Sequence, residues 1–146
     1  MKNEIEEFAL PFVAAVLDKK TEGVIALDVS KLTSVADVFI IGSGRSVRQV
    51  KAIAGHVRRK LREKGKKSLN IDGENEGNWV LLDYGDVVIH LFLESTRRFY
   101  DLEGLWMDAP KILKDFIDKK ISETVYDDDE EDDDFWSSEE NEYEEY

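Results

Sequence analysis

Phosphate chemistry is the first possibility that the residue pattern raises. Gly42-Ser43-Gly44-Arg45-Ser46 joins an apolar run, Val38-Phe39-Ile40-Ile41, to the start of a helix. At such a junction free backbone amides and the helix dipole face outward, an arrangement that holds phosphates in many α/β proteins. The spacing falls short of a dinucleotide fingerprint, since Val47 stands where the third glycine belongs. Gly65-Lys66-Lys67-Ser68 falls short of a P-loop in the same way, with Lys60 in the place of its first glycine. A strand-to-helix turn needs small residues for its own geometry, and that explains the glycines without a ligand. A nucleotide-dependent transferase built on residues 42–46 is the enzyme alternative. It would need a carboxylate pair to hold magnesium, and the next acidic residue after the turn is Glu63.

Other chemistries have fewer residues to draw on. The chain has no cysteine, so neither a disulfide framework nor a thiolate metal site exists. Its two histidines are not spaced as a ligand pair. His56 falls beside the apolar stripe of a helix, and His90, between Ile89 and Leu91, is expected half-buried and hydrogen-bonded in a strand. Ser43 lacks the G-x-S-x-G setting of a hydrolase nucleophile. No catalytic residue, metal or cofactor is expected.

The residues left over suggest gripping rather than turnover. Residues 79–84 and 87–93 are apolar runs joined at Tyr84-Gly85-Asp86, the pattern of a β-hairpin. Alternation puts Trp79, Leu81 and Asp83 on one face and Val80, Leu82 and Tyr84 on the other. Thr96-Arg97-Arg98-Phe99-Tyr100 follows, then Leu102, Leu105 and Trp106. Arginines among large aromatics are the composition of a contact surface. Each aromatic alone could serve the core; as a group they exceed what a short helix needs for packing.

The elements that must position these residues are legible in outline. Residues 4–20 carry Ile5, Phe8, Phe12, Val13 and Val16 at helical spacing, with Gly23 suited to the left-handed exit. Residues 24–29 alternate as a strand, and residues 38–41 form a strand buried on both faces. Ser46-Val47-Arg48-Gln49 has capping-box form and opens a helix to about residue 64, with Arg48, Lys51, Arg58, Arg59 and Arg62 outward. That basic face could meet RNA phosphates, although a solvated helix face is the commoner explanation. Residues 67–71 form a short strand, residues 101–107 a short helix, and Asp108 with Pro110 opens a last one. The order predicts an α/β (α+β) domain, a mixed sheet flanked by helices.

Charge divides the chain in two. Residues 127–146 hold 13 of the 33 acidic residues and no Lys or Arg, leaving residues 1–126 with 20 acidic against 20 basic side chains. The expected organisation is therefore a neutral domain over 1–126 and a disordered acidic tail over 127–146. No apolar run approaches the roughly 20 residues of a membrane span, and the amphipathic N-terminus is not a signal peptide. A cytoplasmic protein without membrane contact is expected.

Three blocks carry a family resemblance. Residues 36–46, beginning Ala36-Asp37-Val38, together with Gln49 and Ala52-Ile53-Ala54, form the first. Gly73-Glu74 with residues 77–90, and residues 98–109 around Tyr100-Asp101-Leu102-Glu103-Gly104, form the others. In this order they resemble the Iojap family of ribosomal silencing factors. Asp72 in place of a usual Glu, and Phe99 in place of a frequent Tyr, are modest departures. The resemblance implies a nucleotidyltransferase-like shape without the catalytic carboxylates. It further implies binding to the large ribosomal subunit through its fourteenth protein, which obstructs joining of the small subunit and damps translation under nutrient limitation. Contacts with rRNA would be peripheral at most, and a homodimer off the ribosome is left open. Trp79, Leu82, Asp83, Tyr84, Asp86, His90, Arg98, Tyr100, Leu105 and Trp106 are the implied partner-binding residues or their support.

Overall fold

The computed structural model describes residues 4–125. The expected acidic tail, 127–146, lies outside them. Two apolar strands, β2 (Val38–Gly44) and β5 (Val87–Leu93), run parallel at the centre, in register from Val38↔Val87 to Gly44↔Leu93. β2 is buried along its whole length and β5 everywhere but Leu93, which is why both read as unbroken apolar runs. β4 (Trp79–Asp83) pairs antiparallel with β5, and β3 (Asn70–Asp72) with β4. On the other side β1 (Glu22–Asp28) pairs antiparallel with β2, and β6 (Lys111–Ile112) with β1. The outcome is a six-stranded mixed sheet of order β3-β4-β5-β2-β1-β6, the α/β architecture that the pattern predicts.

The sheet's two faces are covered unequally. Against one lie α1 (Glu4–Leu17), α2 (Val47–Glu63) and α5 (Lys114–Val125), packing Phe12, Val16, Ile53, Val57, Leu61 and Ile117 onto Val38, Ile40, Leu82, Ile89 and Leu91. Among the described residues, the other face carries only short α3 (Glu94–Tyr100), four-residue α4 (Leu102–Leu105) and neighbouring loops over a smaller core of Leu27, Phe39, Ile41, Val88, Phe92 and Leu102. Among the described residues no helix is long and apolar enough to cross a membrane.

Local chemistry explains where several elements begin and end. Ser46 Oγ accepts from the Gln49 amide at 3.0 Å, the first half of the expected capping box. Gln49 Oε1 accepts instead from the Arg45 amide at 2.7 Å, one residue before the reciprocal partner. The left-handed residue after α1 is Lys20, not Gly23. Gly23, at φ +59°, sits inside β1, where the pairing with β2 slips between Glu22 and Ile25. Asp108 and Pro110 do not open the last helix: the Pro110 carbonyl accepts from the Asp28 amide at 2.9 Å, β6 follows, and α5 starts at Lys114. A Pro can lead an edge strand because its missing N–H is not needed there.

Candidate partner-binding face

Alternation along β4 and β5 delivers Trp79 and His90 to the thinly covered face. Trp79 is half-buried, its ring 4.7 Å from Phe92 and 5.1 Å from Tyr100 between centroids. Its indole Nε1–H donates to His90 Nδ1 at 3.2 Å. Because the indole only donates, Nδ1 is the unprotonated nitrogen and the ring proton sits on Nε2. Phe39 packs edge-on beneath, 5.0 Å from His90 and 5.2 Å from Trp106. These rings form a floor that fixes Trp79 and Trp106 by packing on several sides.

Above the floor the apolar groups reach solvent. Phe99 is 80 % exposed, Tyr100 52 %, Leu105 76 % and Met107 78 %. Next to them, Ile25, Leu27, Glu103, Trp106, Met107, Ala109 and Lys111 line a shallow depression of about 310 Å³. A run of large apolar side chains exposed together, continuous with a hollow, marks an interaction site more than scattered surface residues do. Asp101 and Asp108 are exposed among these groups and Glu103 partly so.

One side chain locks this surface to the sheet. Arg97 on α3 donates to the Gly23 carbonyl at 2.7 Å, to Ser43 Oγ at 3.2 Å and to Glu103 at 2.9 Å. Only 13 % of its side chain is exposed. The positive φ of Gly23 places that carbonyl in reach, and a Cβ there would meet the guanidinium at 2.9 Å. Asp101, itself left-handed at φ +48°, ends α3, and its carboxylate accepts from the Gly104 amide at 3.2 Å to cap α4. A Cβ on Gly104 would meet that carboxylate, which would have to shift from its capping position.

The implied site residues do not form a single surface. Trp79, His90, Tyr100, Leu105 and Trp106 belong to the open face. His90 is only 6 % exposed, so the expected half-buried histidine is instead a buried support. Leu82 has no exposure and lies in the core under the helices, and Tyr84 packs edge-on against Phe12 of α1 at 5.3 Å. A strand sends successive residues to opposite faces, so neither can join Trp79 at one contact. Asp83 is half-buried and accepts from the Gly85 amide at 2.8 Å, which shapes the turn. Asp86 is exposed, while its carbonyl accepts from the Asp37 and Val38 amides at 2.8 and 3.0 Å. Arg98 is exposed on α3, 3.7 Å from Glu94. Arg97 and Met107 lie outside the expected set. The Arg97 role has little local signature, because apart from Glu103 its partners, Ser43 and Gly23, lie more than 50 residues away in the chain.

The turn considered for phosphates has another use. Gly42 and Ser43 are strand residues of β2, and Ser43 Oγ donates to the Glu22 carbonyl at 3.3 Å while accepting from Arg97. A Cβ on Gly42 would come within 2.5 Å of the Thr21 methyl, so packing alone accounts for that glycine.

A family model described as "Ribosomal silencing factor during starvation" matches residues 2–142. The chain belongs to the ribosomal silencing factor family. A relative named ribosomal silencing factor from Chromobacterium violaceum is 45 % identical over 103 residues, 70 % of this chain and 84 % of the relative. A crystal structure of a protein from the same organism superposes with a TM-score of 0.67 at 44 % identity, covering 71 % of this chain and 87 % of that one. A mouse relative named "Mitochondrial assembly of ribosomal large subunit protein 1" is 37 % identical over 73 residues, 48 % of this chain and 32 % of the relative. The three sequence blocks thus announced the family correctly, and its name assigns the chain to ribosome-associated regulation of translation.

In this silencing factor the central imidazole makes stability depend on acidity. Burial pushes His90 down from 6.5 to about 4. Between those values the unfolded chain takes up a proton that the folded one refuses, so stability is complete above pH 6.5 and falls as the pH drops toward 4. The loss amounts to about 3 kcal/mol. Urea denaturation across this range should show that much more acid sensitivity in the native chain than in His90→Gln. Equal slopes would remove His90 as the cause.

Proposed function

We propose that the open aromatic face docks this silencing factor on the fourteenth protein of the large ribosomal subunit. The bound domain then occupies space that the small subunit needs, and translation is repressed under nutrient limitation. The exposed group Phe99, Tyr100, Leu105 and Met107 over a rigid aromatic floor carries the reading. Rigid aromatics with apolar neighbours are what binding hot spots consist of. The carboxylates Asp101, Glu103 and Asp108 among them suit a basic ribosomal protein and would repel rRNA phosphates, which keeps RNA contacts peripheral. The family name points to the ribosome, and the mouse relative's name to its large subunit.

Such a block needs occupancy and no turnover, so the chain acts as a binding protein without a cofactor. The acidic segment 127–146 would add reach toward basic ribosomal segments at low salt. Purified chain added to separated subunits is expected to lower their reassociation on a sucrose gradient. A variant ending at Tyr126 should do so less well at low salt. Unchanged reassociation with the native chain would end the steric reading, and an equally effective truncation would end the role of the tail. Whether copies pair off the ribosome shows in the same gradients.

A further inference from the structure

On the helix-covered side, away from the aromatic face, the end of α2, the loop leaving it and the hairpin turn enclose a cup of about 250 Å³. Its wall is Arg58, Arg62, Lys66, Lys67, Ser68 and Tyr84, four cationic side chains and two hydroxyls without a carboxylate. Glu74, outside the wall, reaches Arg58 at 2.9 Å. Like charges gathered round one concavity repel each other, and an anion inside relieves that.

Three features make the cup more than a solvated helix end. The Lys66 ammonium lies 5.6 Å over the Phe12 ring, and Tyr84 packs edge-on to the same ring at 5.3 Å, so two lining groups are held in place by one anchor. Two of the last-turn carbonyls of α2, which would repel an anion, are occupied. Leu61 O accepts from the Lys64 and Lys66 amides and Arg62 O from the Gly65 amide. Burial raises the Tyr84 phenol to about 12 against the opposite pull of Arg58 and Arg62, so its hydroxyl remains a donor at neutral pH.

We propose that this cup binds a compact phosphoanion, the phosphate chain of a small phosphate ester, through Arg58, Arg62, Lys66 and Lys67 with Ser68 and Tyr84 donating. Guanidinium forks match phosphate oxygens in pairs, lysines add charge, and hydroxyls fill the remaining acceptor positions. A concavity of this size suits a compact anion; an RNA backbone would be met by a longer groove. The site lies across the sheet from the docking face, so both can be occupied together, and neither reading depends on the other.

Tripolyphosphate titrated into the full-length chain at constant ionic strength is the test, followed by calorimetry and by backbone amide NMR shifts. Saturable binding is expected, with shifts concentrated in residues 58–68 and at Tyr84 and absent from residues 99–107. Lys67→Gln, at an exposed position, and Arg62→Gln should each weaken it by about tenfold, the scale of one charge-assisted hydrogen bond. Lack of saturation, equal binding by both variants, or tighter binding of a short single-stranded RNA than of tripolyphosphate would overturn the proposal.

Discussion

Leu105→Asp is expected to release the silencing factor from the large subunit while leaving its fold intact. Leu105 is 76 % exposed, so in the free chain a carboxylate there stays in water, and stability should change by less than about 0.5 kcal/mol. In the docked state the same carboxylate would be buried among apolar groups without a partner. An unpaired charge at an interface costs about 3 kcal/mol or more, which is over a hundredfold in affinity. Trp79→Ala is the less discriminating change. It removes the His90 hydrogen bond and the packing on Phe92 and Tyr100, and so lowers stability together with binding. Co-sedimentation with large subunits, read beside a urea midpoint, separates the two effects. If Leu105→Asp sediments with subunits like the native chain, the open face is not the docking surface.

The second large effect concerns the residue that holds this face on the sheet. Arg97→Met is expected to cost about 2 kcal/mol of folding stability, within the range for losing charge-assisted hydrogen bonds in a part-buried cluster. The change removes the donor to the Gly23 carbonyl and to Glu103 together, and leaves Ser43 Oγ only its bond to the Glu22 carbonyl. Glu103 keeps some access to water, at 35 % side-chain exposure, which holds the loss to the lower part of that range. Arg97→Lys should recover little, because one ammonium cannot reproduce a planar fork spanning a carbonyl, a hydroxyl and a carboxylate. Chemical denaturation reads the loss directly. A change under about 1 kcal/mol for Arg97→Met would mean that α3 is held by packing and that the polar clamp is incidental.

Much of the scaffold was legible because periodicity records burial. β2 and β5 stood out as apolar runs since both their faces are covered, and α2 stood out through its inward stripe and Ser46 cap. The hairpin showed in its alternation and in Gly85, which adopts the positive φ that its turn requires. α3 was missed for a related reason: it buries none of its residues, and Leu93 before it offers no side-chain cap. A helix held by one arginine and exposing its aromatics has no stripe to find. β6 was missed because two residues are too few to alternate, and Pro110 ahead of them resembles a helix start.

The same boundary runs through the site. From the amino-acid sequence alone came the family, the neutral balance of residues 1–126 against the acid of 127–146, and the segment that carries the aromatics. It also determined that Trp79 and Leu82 face opposite ways, because strand alternation is a local property. Only the tertiary structure decided which of those faces the three longer helices cover. That choice depends on where α1, α2 and α5 pack, through contacts between residues far apart in the chain. It turned Leu82 and His90 into supports, left Tyr100, Leu105 and Met107 in solvent, and brought Arg97 to Gly23 and Ser43. Local pattern shows which side chains share a face; long-range packing determines whether that face meets helices, water or a partner.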